Sequence, residues 1–92
     1  MEFAIKNIFD SYFVVTDKDV FDRIKNNEFI SVEKDMDCQS VLKLVNLYGE
    51  KFGEIINLSD VIKIRGYIET NTNFFVKMYK NNANTFCRIA IY

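Results

Sequence analysis

Between residues 61 and 92, apolar and polar positions alternate with a period of two through three consecutive runs separated by Asn-rich turns. In residues 61–69, Lys63, Arg65 and Tyr67 fall on one side, and Ile62, Ile64 and Ile68 on the other, around Gly66. In residues 74–80, Phe75, Lys77 and Tyr79 oppose Phe74, Val76 and Met78. In residues 86–92, Phe86, Arg88, Ala90 and Tyr92 oppose Cys87, Ile89 and Ile91. Successive strand residues point to opposite faces, so this pattern predicts a three-strand antiparallel meander with one face in the core.

Upstream, residues 1–10 place Phe3, Ile5, Ile8 and Phe9 where a short helix and an opening strand both fit. Residues 11–16 carry no charge and are rich in aromatic and β-branched side chains, which favours a buried strand. Thr16 then reads as a helix N-cap, with Asp17 and Asp19 in the first turn, where negative charge complements the free N–H groups. Val20, Phe21 and Ile24 share one side of a helix of about ten residues, too short to stand alone, that stops at Asn26 and Asn27. Residues 29–33 suit a short strand with Ile30 and Val32 inward, and residues 34–40 are polar and turn-like. Residues 41–48 and 51–58 read as a hairpin about a Gly49–Glu50 turn, which pairs Val45 with Glu54, Leu47 with Phe52 and Val41 with Leu58. The expected fold is α+β: one short helix packed on a curved antiparallel sheet or small open barrel of about six to seven strands, in a single domain over residues 1–92.

The passage from residue 43 to 77, with its GEKFGEIINLSDVIKIRG core, resembles small β domains that follow a hairpin with an INL-x-D-V turn, LytTR-type DNA-binding domains among them. The likeness covers about a third of the chain, and no residue role is carried over from it.

Composition narrows the chemistry. With 49% hydrophobic residues, three Gly and no Pro, a disordered tail or linker is not expected. No apolar run approaches the ~18 residues that span a bilayer, and the first ten residues lack the marks of a signal peptide, so a cytosolic location is expected. Cys38 and Cys87 are expected to be free thiols. Without any histidine, a Cys/His zinc site cannot be assembled, and the usual general base near neutral pH is missing. No GxSxG, Walker or GxGxxG pattern appears, so no catalytic residue, metal or cofactor is expected. Asn, Lys, Ile, Phe and Tyr supply 44 of the 92 residues. These types share A/T-rich codons, which points to a low-GC bacterium or one of its phages or plasmids.

Charge is unevenly placed although the net is only −1. Residues 1–60 hold 12 acidic and 7 basic side chains, giving −5, and residues 61–92 hold 1 acidic and 5 basic, giving +4. The meander would gather Lys63, Arg65, Tyr67, Phe75, Lys77, Tyr79, Phe86, Arg88 and Tyr92 into one aromatic and basic interaction surface. Asp17, Asp19, Asp22, Asp35 and Asp37 would form a second, acidic surface, read as solvated charge rather than as metal ligands.

Three covers suit the aromatic face: the acidic N-terminal half of the chain, a protein partner or second copy of the chain, or single-stranded nucleic acid whose bases stack on the rings. The slightly acidic total favours a protein partner over nucleic acid, because nucleic-acid modules usually carry net positive charge. The expectation is therefore a small non-catalytic binding protein, most concretely a phage or mobile-element inhibitor of a host defence or nucleic-acid-processing protein, of the anti-CRISPR kind. The alternative is a single-stranded nucleic-acid-binding or transcription-regulating module. A membrane partner is not expected.

Overall fold

The computed structural model describes residues 8–25, 28–80 and 87–92. The expectations for residues 1–7, for the Asn26–Asn27 helix stop and for Phe86 lie outside them. Among the described residues the chain runs β1 (Phe9–Tyr12), β2 (Val14–Val15), α1 (Lys18–Arg23), β3 (Phe29–Lys34), β4 (Leu42–Val45), β5 (Lys51–Ile55), α2 (Leu58–Thr70), β6 (Val76–Lys80) and β7 (Cys87–Ile91). Every strand pairing is antiparallel, and the spatial order is β1-β7-β6-β3-β4-β5-β2.

Only Phe13 separates β1 from β2, yet β1 pairs with β7 at one edge of the sheet and β2 with β5 at the other. One short segment, residues 9–15, thus holds both edges and curls the sheet into a nearly closed barrel, the α+β small open barrel expected. Gly53 sits at this seam. A Cβ there would lie 2.8 Å from both the Phe13 ring and the Val14 carbonyl oxygen, so only glycine lets the two segments approach.

Because β2 and β5 run antiparallel, the helices that follow them lie at opposite ends of the barrel. At one end α1 inserts Val20 and Phe21, and the Phe21 ring approaches those of Phe13 and Phe52 with centroids 6.1 and 6.4 Å away. At the other, α2 inserts Val61 and Ile64. Between them Leu42, Leu44, Phe52, Ile55, Met78, Ile89 and Ile91 fill the interior with essentially no exposure. The Ser11 hydroxyl, buried on β1, donates to the Asp60 carboxylate at 3.0 Å and ties α2 to the first strand.

The largest correction concerns residues 61–69, which are helical and not the first strand of a meander. Asn57 caps the helix by accepting from the Asp60 backbone N–H at 3.0 Å, and Asp60 places a negative charge in the first turn. The inward residues Val61, Ile64, Tyr67 and Ile68 are three and four apart, a helical stripe that also contains the alternating pair Ile64 and Ile68. A spacing of four satisfies both periods, so alternation alone could not separate them. Burying Val61 and Ile64, at about 1.5–3 kcal/mol each, together with the cap outweighs the modest β preference of Val and Ile. The C-terminal sheet piece is therefore a hairpin, β6 with β7, flanked by β3 and β1.

Smaller corrections follow the same logic. Asp17, not Thr16, is the N-cap of α1, its carboxylate accepting from the Val20 N–H at 3.2 Å, and the helix is six residues long. The β4–β5 hairpin closes through residues 46–50. The Asn46 side-chain oxygen accepts the N–H groups of Tyr48 and Glu50 at 3.0 and 2.9 Å, and Gly49 takes a left-handed φ of 80°. That wider loop moves the register by two, so Leu42 faces Ile55 and Lys43 faces Glu54. A shift of two keeps every side chain on its face, which is why the core was unaffected. A bulge after Leu44 then brings Val45 opposite Lys51.

Candidate protein-binding face

Strand alternation sends one set of side chains into the barrel and the other onto its outer wall. On the wall formed by β1, β7, β6 and β3, register aligns Asp10, Ala90, Lys77 and Phe29 in one row, and Tyr12, Arg88 and Tyr79 in the next. Phe75 and Tyr92 form a third row, exchanging backbone N–H···O bonds of 3.3 and 2.9 Å.

These rows make a connected layer. Phe75 and Tyr92 stack with centroids 5.4 Å apart, and the Phe29 ring meets Phe75 edge-on at 5.4 Å. The Tyr79 and Tyr92 hydroxyls lie 2.8 Å apart, and this hydrogen bond raises the Tyr92 pKa. Lys77 Nζ sits 5.4 Å from the Phe29 centroid, and the Arg88 guanidinium lies 4.8 Å from that of Tyr79. Arg88 also pairs with the Asp10 carboxylate, a hydrogen bond that raises its pKa. Ala90, at the centre, is buried although it belongs to no part of the core cluster, because its larger neighbours close over it.

The helices occupy the barrel ends, so no described element covers this wall. Tyr12, Phe29 and Phe75 remain 65%, 48% and 45% exposed. Among the described residues the N-terminal segment does not pack across the face; residues 9–12 extend it as a further strand.

Of the nine side chains expected on this surface, the structure brings together Phe75, Lys77, Tyr79, Arg88 and Tyr92. Lys63, Arg65 and Tyr67 leave it with α2. Tyr67 packs edge-on against Phe9 and Phe74 at the core margin, Arg65 donates to the Gln39 carbonyl, and Lys63 is exposed. Phe29, Tyr12 and Asp10 join it instead. Their outward direction follows from alternation with Ile30 and Ser11, but their adjacency to β6 and β7 depends on long-range pairing that no local pattern carries.

The five acidic residues do not form one surface. Asp17 caps α1, Asp19 is exposed in its first turn, and Asp22 pairs with Lys18 at 3.7 Å. Asp35 accepts the Asp37 N–H at 2.9 Å in the turn just past Lys34, whose ammonium bonds Glu69 of α2. The two groups therefore lie at opposite ends of the barrel. Among the described residues no cluster of Cys, Asp and Glu is arranged to hold a metal ion, and no helix is long and apolar enough to cross a membrane.

Comparison with protein-family models, curated proteins and solved structures gives no match, so the likeness of residues 43–77 to LytTR-type domains has no support there.

Proposed function

We propose that this chain is a small non-catalytic protein that acts by occupying a surface of another protein with the outer wall of β1, β7, β6 and β3. One observation carries the reading: Phe29, Phe75, Tyr79, Tyr92 and Tyr12 form a ring layer that no described element covers, braced by Lys77 and Arg88, on the outer face of the sheet. Exposed rings of this kind stay in unfavourable contact with water when the chain is alone and gain most when a partner desolvates them, and Tyr, Phe and Arg are enriched at protein interfaces. The concrete version is a phage or mobile-element inhibitor of a host defence or nucleic-acid-processing protein, acting in the host cytoplasm.

Charge favours a protein over single-stranded nucleic acid. The wall holds Lys77 and Arg88, and Arg88 already faces Asp10, which leaves little with which to neutralise a run of phosphates. Two measurements test the reading. A fluorescent oligonucleotide titrated at low salt should show no saturable binding; tight binding that weakens steeply with salt would replace the protein by nucleic acid. Sedimentation of the wild-type chain beside a Phe75→Ser/Tyr92→Ser variant shows whether the partner is a second copy: a dimer lost in the variant assigns the wall to self-association.

A further inference from the structure

A second site lies away from the sheet wall, at the end of the barrel that α2 closes. There Lys34, Asp35, Met36, Gln39, Val41, Arg65 and Glu69 line an open cavity of about 390 Å³, within the range of small-ligand pockets.

Arg65 is the unusual member. The chain has three arginines. Arg23 pairs with Glu50 and Arg88 with Asp10, but Arg65 has no carboxylate at ion-pair distance among the described residues. Glu69 stands one helical turn further on, where it could serve Arg65, but it is taken from across the cavity by Lys34 at 3.1 Å. Arg65 is half-buried, and a single donated hydrogen bond to the Gln39 carbonyl holds its guanidinium at the cavity wall. A guanidinium has five N–H donors in a planar fork that matches a carboxylate, so the hydrogen bond to Gln39 fixes the group without exhausting it.

The rest of the lining narrows the ligand. With Glu69 paired to Lys34, Asp35 adds one uncompensated negative charge beside Arg65, which opposes a doubly charged anion such as phosphate more than a single carboxylate. Met36, 90% exposed, and Val41 supply apolar surface that an aliphatic tail would cover, and methionine adapts readily to such a tail. We propose that this cavity binds a monocarboxylate carrying a short apolar group, with Arg65 holding the carboxylate and Met36 and Val41 receiving the tail. The same chemistry is presented by a small free acid and by the C-terminus of a peptide.

The test is a nuclear magnetic resonance titration of the full 92-residue chain, following the Met36 methyl, the Gln39 amide and Arg65 Nε. The probes are N-acetyl-leucine, a tetrapeptide ending in leucine, the C-terminal amide of that tetrapeptide, and inorganic phosphate. Saturable shifts at all three positions are expected with the acids and not with the amide, with phosphate the weaker anion. Arg65→Gln should weaken acid binding by roughly tenfold or more, the size of a lost charge-assisted hydrogen bond. Tighter binding of the tetrapeptide acid assigns the site to a chain terminus, and tighter binding of N-acetyl-leucine to a free acid. The proposal is overturned if neither acid gives saturable shifts, if the amide binds as well as its acid, if phosphate matches N-acetyl-leucine, or if a folded Arg65→Gln chain binds unchanged. The acid-against-amide comparison uses only the wild-type chain, so it decides the matter even where the variant fails to fold.

Discussion

Phe75 and Tyr92 lie ring against ring on the outside of the barrel, their planes 23° apart, while their backbones hydrogen-bond to each other across the end of the β6–β7 pairing. A stacked pair in a core would be held by its surroundings. This one is held by backbone pairing beneath it, by Phe29 at one edge and by the Tyr79 hydroxyl at another, so the rings are placed before any partner arrives. Order of this kind lowers the entropy lost on binding.

The wall and the core margin should respond differently to the same substitution. Phe75→Ser removes a half-exposed ring from a sheet surface and should cost at most about 1 kcal/mol. Tyr67→Ser removes the ring that α2 packs against Phe9 and Phe74 and should cost about 3 kcal/mol. Urea denaturation of the two variants measures the contrast. Similar losses would place Phe75 in a core that the structure does not show.

Two glycines should give opposite signs. At Gly53 a methyl group would meet backbone and ring atoms of the Phe13–Val14 segment, so Gly53→Ala should destabilise by about 1–3 kcal/mol and loosen the barrel seam. Gly66 lies in the interior of α2 with open space around its Cβ position, and Gly66→Ala should stabilise by about 0.5–1 kcal/mol. Thermal unfolding of both variants reads the two shifts.

The thiols are likewise unequal. Cys38 is exposed beside Ser40, and Cys87 is buried, its pKa raised by that burial although Lys80 nearby opposes the shift. A thiol reagent at neutral pH should modify one cysteine rapidly and the second only as the chain opens. Because the folded state holds the Cys87 proton more tightly than the unfolded state does, its contribution to stability is full below the ordinary thiol pKa. It is lost as pH rises through the higher folded value. Urea midpoints across the alkaline range, compared with those of Cys87→Ala, isolate that contribution.

Much of the architecture was legible in local pattern. The inward sets Val20, Phe21 and Ile24, Ile30 and Val32, and Val76, Met78, Ile89 and Ile91 all lie in the core as periodicity placed them. Residues 61–69 alternate like a strand although they are helical, because Ile64 and Ile68 satisfy both the strand and the helix period, and the deciding signal is the Asn57 cap four residues before Val61. The wall was half legible. Alternation gave Phe75, Lys77 and Tyr79 one side, but Phe29 and Tyr12 reach it through pairings with β6 and β7 that close loops of tens of residues. The Arg65 cavity left no trace in the sequence, because it depends on a turn after β3 meeting a helix that alternation had drawn as a strand.

The sheet wall as contact surface is tested most directly by a photoreactive phenylalanine analogue placed at Phe75 and, in a separate chain, at Ile62, an exposed residue of α2. Each is expressed and irradiated in bacterial cells, and the crosslinked protein is identified. One discrete protein adduct is expected from position 75, absent from position 62 and abolished when Lys77→Glu and Arg88→Glu are added. Equal crosslinking from both positions, or an adduct from position 62 alone, would rule the sheet wall out as the contact surface.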